Sequence, residues 1–298
     1  DKYLSADGEV LIVGSRNIAN SYFGLSDEKP NFNDIDVKLS GDFVADTTGY
    51  FETLWVSSAL GTQRRYKKTA RLQRDSTRPL QLENTISPKQ VPEPGAITEQ
   101  RKHQISDQKL TFLHDENGRK SQANGIHRHL HAMIASARDS IVIVSPYFYP
   151  TTELITILTR AKNRGVQINI LTNSIKSSNR PINQVALDSL MRRRLKQIPI
   201  EQYQGKRTLH AKGVIVDGKL ACITSYNFNH RSQYFDTELA LLVEDQTFAK
   251  ALHAEFEKYF QRSAPYTPIN RLNDNPPTLT EKRLRQFRWL ARLIPRHL

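Results

Sequence analysis

The chain has 298 residues, 38% of them hydrophobic and 24% charged, with a formal net charge of +13. This composition excludes a disordered polymer and leaves room for one large domain or two of ordinary size. The single cysteine, Cys222, lies in an apolar strand and excludes an internal disulfide framework; no run approaches the roughly 18 apolar residues of a spanning helix and no signal peptide is visible, while the charge serves either solubility or an anionic partner, nucleic acid or an acidic membrane surface.

Residues 2–17 predict a hairpin, with Tyr3 and Leu4 on one strand, a turn at Asp7-Gly8, and Val10 to Val13 on the other. A polar loop follows over about 20–33, then a strand over 35–39. Residues 43–56 predict a helix with Phe51, Leu54 and Trp55 as its apolar face. Over 58–107 apolar residues thin out. Arg64, Arg65, Lys67, Lys68, Arg71 and Arg74 cluster, and Pro79, Pro88, Pro92 and Pro94 interrupt any regular element. A helical start near 62–74 and then a linker are expected. The basic cluster reads first as a solvated face, and an anionic substrate would make it a binding patch.

From Lys109 the pattern alternates. Strands are predicted over 110–113, 141–144 and 166–171, and helices over 126–137, 153–163 and 185–196, with Gly165 suited to a helix C-cap. A hairpin over 209–227, a strand over 237–243 and a helix over 247–260 complete the unit. Alternating strands and helices imply an α/β layered domain with a largely parallel sheet. His127, His129 and His131 invite a metal reading, but only His127 and His131 share a helix face and no HExxH glutamate accompanies them. A surface helix carrying imidazoles, with no metal, is the expectation. After Pro276-Pro277, Thr278 and Glu281 fit a capping box. Leu284, Phe287, Leu290, Ala291 and Ile294 then form an apolar stripe opposite Lys282, Arg283, Arg285, Arg288 and Arg292. This basic amphipathic helix suits either a membrane interface or packing on the domain.

Within the 209–227 hairpin, His210, Lys212 and Val214 alternate, so strand period puts His210 and Lys212 on one face, with Asp217 and Gly218 at the turn and Ser225 and Asn227 beyond. Alone, HxK is an ordinary hairpin with a polar end. The chain, however, opens on the same pattern: Lys2, Asp7, Gly8, Ser15 and Asn17 match Lys212, Asp217, Gly218, Ser225 and Asn227, each at an offset of 210. The counterpart of His210 falls at the position before Asp1, so the sequence is expected to begin just after a first catalytic His, as a fragment of a longer protein. By this reading Asp36 matches Glu238 at an offset of 202, and the first polar loop is eight residues longer than the second.

At these residues the chain resembles the phospholipase D superfamily, marked by a doubled HxKxxxxD followed by a G-[SG]-x-N-like element. Thr224 replaces the usual Gly in the second copy; Gly14, Ser15 and Asn17 stand in the first. Within that superfamily it is most similar to bacterial cardiolipin synthases of the C type, on GSRNIANSYFG at 14–24, NDIDV at 33–37, VSPYFYP at 144–150 and SYNFNHRSQYFDTEL at 225–239. The resemblance implies two related α/β sandwich domains, each with a central mixed sheet flanked by helices and the first truncated. The expected division is 1–57 for the end of the first domain, 58–107 for a basic linker, 108–262 for the second domain and 263–298 for the C-terminal segment.

A phosphodiester is an anion that repels nucleophiles, so an enzyme must neutralise it and protonate the leaving oxygen. An imidazole can do either part of the proton work, and Lys2 and Lys212 supply fixed positive charge in place of a metal. The resemblance implies one site between the two copies, no cofactor, and a phosphohistidine formed on the first-copy His, with His210 as acid and then base. Asn17, Asn227, Ser15 and Ser225 are candidate phosphate ligands. Asp7 and Asp217 are expected to have structural roles. Glu238 is expected to orient His210, and Asp36 the first-copy His. The implied function is phosphatidyl transfer between phospholipids giving cardiolipin, at a bacterial inner membrane, by a peripheral protein or one anchored upstream. The alternatives are a phospholipase D-like hydrolase of phospholipid or nucleic acid, and a catalytically dead binding module. The quoted strings and the C-terminal stripe favour lipid, since no run of aromatics interleaved with basic residues is seen.

Overall fold

The computed structural model describes residues 2–26, 31–56, 105–106, 109–115 and 125–269. The expected helical start near 62–74, most of the linker and the C-terminal amphipathic stretch lie outside these residues.

Two hairpins with the same turn chemistry anchor the two halves. In the first, β1 (Tyr3–Ala6) runs antiparallel to β2 (Val10–Gly14). In the second, β10 (Gly213–Val216) runs antiparallel to β11 (Leu220–Thr224). Both turns put two residues in the left-handed region, Asp7 at φ 54° with Gly8 at 68°, and Asp217 at 53° with Gly218 at 61°. Such an Asp-Gly pair matches the right-handed twist of the flanking strands. A third strand follows each hairpin: β4 (Asp36–Ser40) beside β2, and β12 (Leu239–Glu244) beside β11. A helix comes next in each half, Phe43–Val56 and Gln246–Phe260. The internal repeat in sequence is thus a repeat in structure.

The second half is the more complete. Its eight-stranded sheet adds β5 (Leu110–His114), β6 (Ser140–Val144), β7 (Gln167–Asn173), β8 (Ile200–Tyr203) and β13 (Ser263–Pro265), in the order β13-β8-β7-β6-β10-β11-β12-β5. Only β6·β7 and β7·β8 are parallel; the other neighbours run antiparallel. The sheet is therefore mixed, and the expectation of a largely parallel one fails. Crossover helices join only β6, β7 and β8, whereas the central hairpin forces antiparallel neighbours.

Period-two alternation sorts the sheet's two faces. Ile141, Ile143, Val214, Val216 and Cys222 pack under the helices Ile126–Ala135, Thr152–Asn163 and Pro181–Arg193. Val142, Val144, Ile215, Ala221 and Ile223 face the other way. They meet Phe248, Leu252 and Phe256 of the last helix together with Leu11, Val13 and Val44 of the first half. Burying such aliphatic side chains stabilises by about 1.5–3 kcal/mol each, so one core joins the two halves. A two-residue parallel pair also crosses between them, β3 (Phe32–Asn33) with β9 (Thr208–Leu209).

Two helical expectations change. The helix Phe43–Val56 buries Val44, Thr47 and Tyr50, while Phe51 is exposed; the side chains of Leu54 and Trp55 lie outside the described residues. The helix Ile126–Ala135 buries His127 and His131 and leaves His129 exposed. It packs on the helix Thr152–Asn163, whose Glu153 carboxylate lies 3.4 Å from His131 Nδ1. A surface row of imidazoles is thus corrected to two buried ones. Burial holds His131 below its ordinary value against the pull of Glu153. The Cys222 thiol is fully buried and pushed up by desolvation, as an inert core thiol should be.

Candidate active site

His210, Ala211 and Lys212 lie between β9 and β10 rather than on a strand. Two clamps fix this segment. The Asn33 carbonyl accepts from the His210 and Ala211 amides at 2.7 and 3.1 Å. The Asn173 side chain accepts from the Leu209 amide at 3.0 Å and donates to the Leu209 carbonyl at 2.8 Å. One clamp comes from the first half and the other from the second, so the position of His210 requires both.

The side chains of His210 and Lys212 do converge. Lys212 Nζ lies 3.2 Å from each ring nitrogen of His210 and donates to its carbonyl at 2.8 Å. Gly213 follows because a Cβ there would sit 2.7 Å from the Cys222 carbonyl oxygen and 2.9 Å from the Phe256 ring. Tyr22, Phe32 and Tyr147 wall the imidazole edge-on, at 5.0, 5.4 and 6.2 Å between centroids. Burial is nearly complete, at 5% exposure for His210 and 1% for Lys212.

The carboxylate on His210 is not the expected one. Asp34 Oδ2 lies 2.7 Å from His210 Nδ1 and is fully buried. Glu238, expected to orient His210, instead accepts from the Ser225 and Ser232 hydroxyls, the latter at 2.6 Å. Strand register gives the reason. Gly14 pairs with Asp36 and Thr224 with Ala240. The offset between the halves is therefore 204 at this strand, which matches Asp34, not Asp36, to Glu238. The first loop is six residues longer than the second, not eight. Ser15 and Ser225 play the same part in the two halves, since Ser15 Oγ donates to Asp34 as Ser225 Oγ donates to Glu238. Asp36 lies aside, in an ion pair with Arg16.

The register also explains Thr224 in place of the expected Gly. A Cβ on Gly14 would lie 2.3 Å from Asp36 Oδ1. Thr224 faces the small Ala240, and its hydroxyl donates to the Leu239 carbonyl at 2.7 Å.

The remaining candidates fall into two groups. Lys2 is close enough for its charge to bear on His210, Lys212 and Glu238 alike. Asn17 donates to the Tyr22 hydroxyl at 2.7 Å, and the Asn227 amide N–H donates to Ser232 Oγ at 3.1 Å, so both asparagines adjoin the site. Asp7 and Asp217 sit at the far turns of the hairpins. The Asp217 carboxylate accepts from the backbone amides of Arg138, Asp139 and Ser140 at 3.0, 2.8 and 2.9 Å, which ties the hairpin to the start of β6. Sequence reasoning passed over Asp34, Asn33, Asn173, Tyr22 and Tyr147. Among the described residues no three His, Cys, Asp or Glu side chains cluster as a metal would require.

Electrostatics set the protonation states. Desolvation, with the Lys212 charge, lowers His210 to about 4 against the opposing pull of Asp34. Burial likewise brings Lys212 down to about 7, with Asp34 opposing and Lys2 assisting. Burial alone would raise Asp34, but the bond and charge of His210 and the charge of Lys212 outweigh it and hold it low. At neutral pH His210 is a neutral imidazole. Its Nδ1–H donates to Asp34, and its Nε2 carries the lone pair. An anion bound beside an imidazole raises its affinity for a proton.

Residues 130–260 match the family described as cardiolipin synthase, phospholipase D-like domain. Along its length the chain is similar to cardiolipin synthase C of Escherichia coli, 26% identical over 287 residues, covering 86% of this chain and 60% of that protein. A shorter match, 29% identical over 144 residues, is to cardiolipin synthase A of Edwardsiella ictaluri; it covers 48% of this chain and 29% of that protein. The fold is that of the phosphatidylserine synthase of Haemophilus influenzae, with a TM-score of 0.70, 16% identity, and coverage of 98% of this chain and 69% of that one. The chain spans about three fifths of that cardiolipin synthase C, at 60%.

Proposed function

Because residues 130–260 match a cardiolipin synthase, phospholipase D-like domain and the chain is similar to cardiolipin synthase C over most of its length, we propose that the full-length protein is a phospholipase D superfamily enzyme that transfers a phosphatidyl group from one phospholipid to the hydroxyl of another, giving cardiolipin. The observation that carries this reading is the buried Asp34–His210–Lys212 cluster, whose members come from both halves of the repeat. Such a cluster can handle a proton and a phosphodiester anion together.

Lys212 and Lys2 neutralise the phosphoryl oxygens, and the amides of Asn17 and Asn227 donate to them. In this reading the first-copy imidazole attacks phosphorus, and Glu238, the counterpart of Asp34, orients it. A P–N bond forms and the P–O bond to the headgroup alcohol breaks. His210, protonated once the anion is bound, gives that alcohol its proton from Nε2. In the second half-reaction His210 takes the proton of the acceptor hydroxyl, whose oxygen displaces the histidine from phosphorus. Asp34 keeps Nδ1 protonated throughout and so points the reacting lone pair at the substrate.

We place the second catalytic unit at 108–262, the end of the first at 1–57, and the linker between them. Among the described residues no helix is long and apolar enough to cross a membrane. The protein would reach anionic phospholipid at a bacterial inner membrane by peripheral contact or through an upstream anchor. The test is product analysis. Full-length protein with phosphatidylglycerol vesicles should yield cardiolipin and free glycerol in equal amounts. Phosphatidic acid alone would mean hydrolysis, and cleavage of DNA but not lipid would overturn the substrate class.

A further inference from the structure

We propose that the cavity beside β8 and β9 is a second phosphate site, which holds the phosphodiester of the acceptor lipid while its hydroxyl reaches the reacting centre. The cavity measures about 700 Å³ and is lined by Asn33, Tyr203, Gln204, Lys206, Arg207 and Arg262, among others. That volume lies within the range of small-molecule sites, about 300–1,000 Å³.

The fold brings the lining residues together. Lys206 and Arg207 sit on the short turn between β8 and β9. Arg262 is brought opposite by β13, whose Ser263 pairs with Tyr203, and the Gln204 amide donates to the Arg262 carbonyl at 2.8 Å. The turn folds tightly against the Tyr203 hydroxyl, which lies where Gly205 has room only because it lacks a Cβ; a Cβ there would come within 2.0 Å of it. Among the described residues no carboxylate pairs with any of the three cations, and the neighbouring acid, Glu201, is taken by the Ser263 hydroxyl. Lys206, Arg207 and Arg262 line one cavity, so an anion there would meet three positive charges. Two of them are guanidinium groups, whose planar forks suit phosphate oxygens.

The site also abuts the chemistry. Tyr203 is 1% exposed and its hydroxyl accepts from Asn33 Nδ2 at 2.9 Å. The carbonyl of the same Asn33 holds the His210 amide at 2.7 Å. One residue thus separates the cavity from the backbone of the reacting imidazole. A second phosphate is what the proposed transfer requires, since the acceptor is itself a phospholipid with its own diester. The inference therefore rests on that reading for its lipid, but not for its anion.

The experiment compares full-length wild type with Arg207→Ala/Arg262→Ala. The altered side chains are exposed, so folding should be unaffected, and thermal melting checks this. Hydrolysis of bis(p-nitrophenyl) phosphate, which has one phosphate, should stay within twofold of wild type. The KM for phosphatidylglycerol as acceptor should rise tenfold or more with little change in kcat. Calorimetric titration of the His210→Ala protein with glycerophosphoglycerol should show binding that the two arginine substitutions abolish. Inorganic phosphate, titrated alongside, should bind at least tenfold more weakly than the headgroup. Equal binding of inorganic phosphate with an unmoved acceptor KM would make the ligand free phosphate and overturn the lipid assignment. Titrations indifferent to both arginines would overturn the site. Should wild type make no cardiolipin, the functional reading fails, while the titrations still decide whether the anion site exists.

Discussion

Asp34 accepts from the His210 imidazole and the Ser15 hydroxyl and feels the Lys212 charge, whereas its counterpart Glu238 accepts from two hydroxyls, and the imidazole makes the difference between their proton affinities. Asp34 is held low, while burial raises Glu238 against the bonds from Ser225 and Ser232. If Asp34 fixes the His210 tautomer, Asp34→Asn should lower kcat by roughly two to four orders of magnitude. In that variant the ¹⁵N shifts of His210 should lose the single Nδ1–H tautomer, an effect that a packing role alone does not produce. Stability should follow the same chemistry. His210 binds its proton near pH 4 when folded and near 6.5 when unfolded. Between those values the unfolded chain holds more protons, so this group makes stability rise with pH, by up to about 1.4 kcal/mol per pH unit. Buried acids whose affinity is raised act in the opposite sense, so the difference between wild type and His210→Asn isolates the imidazole. That difference in melting temperature should widen against wild type on acidification from pH 6.5 to 4.5. Of this site, His210, Lys212 and Asn227 stand out in the doubled motif; Ser225 does too, but it was expected on phosphate and its hydroxyl donates to Glu238. Asp34 does not, because NDIDV offers two acids and only the register of β4 on β2 decides between them.

The hairpins and their flanking helices were legible because a period of two or 3.6 and an Asp-Gly turn are local signals. The helix expected over 43–56 is the one observed. What escaped were elements whose existence depends on distant partners. β8 and β13 are short and partly polar, and the pairing of β3 with β9 joins residues from the two different halves. The mixed sheet escaped for a related reason: alternation of strands and helices describes β6 to β8 but not the order in which the hairpin inserts. Asp217 tests the hairpin as an element. Its carboxylate accepts from three backbone amides at a partly exposed turn, and because water can replace it there, its removal costs about 0.5–1.5 kcal/mol. Asp217→Ala should therefore lower the melting temperature while leaving kcat near wild type well below the new transition. A kcat loss like that of His210→Ala in a protein still folded would place Asp217 in the chemistry instead.

At the scale of the molecule, one core joins two related halves, and charge is in excess, +13 overall. If two lysines and two asparagines carry the phosphate's charge, activity should survive excess chelator; loss restored by added Zn²⁺ or Mg²⁺ would contradict this. The stretch 279–298 carries six Lys and Arg against the single acid Glu281, and each cation near an anionic leaflet is worth about 1 kcal/mol. Its deletion should weaken sedimentation with phosphatidylglycerol vesicles and spare turnover of a water-soluble phosphodiester. A lowered melting temperature with unchanged vesicle affinity would instead mark a helix packed on the domain. The most direct test of the composite site is cardiolipin formation from phosphatidylglycerol by full-length wild type, Asp34→Asn and His210→Ala, assayed side by side in chelator. Both substitutions, one in each half, should reduce transfer by at least a hundredfold in proteins that still melt cooperatively. Near-normal transfer by Asp34→Asn would contradict the account, because His210 would then need nothing from the other half.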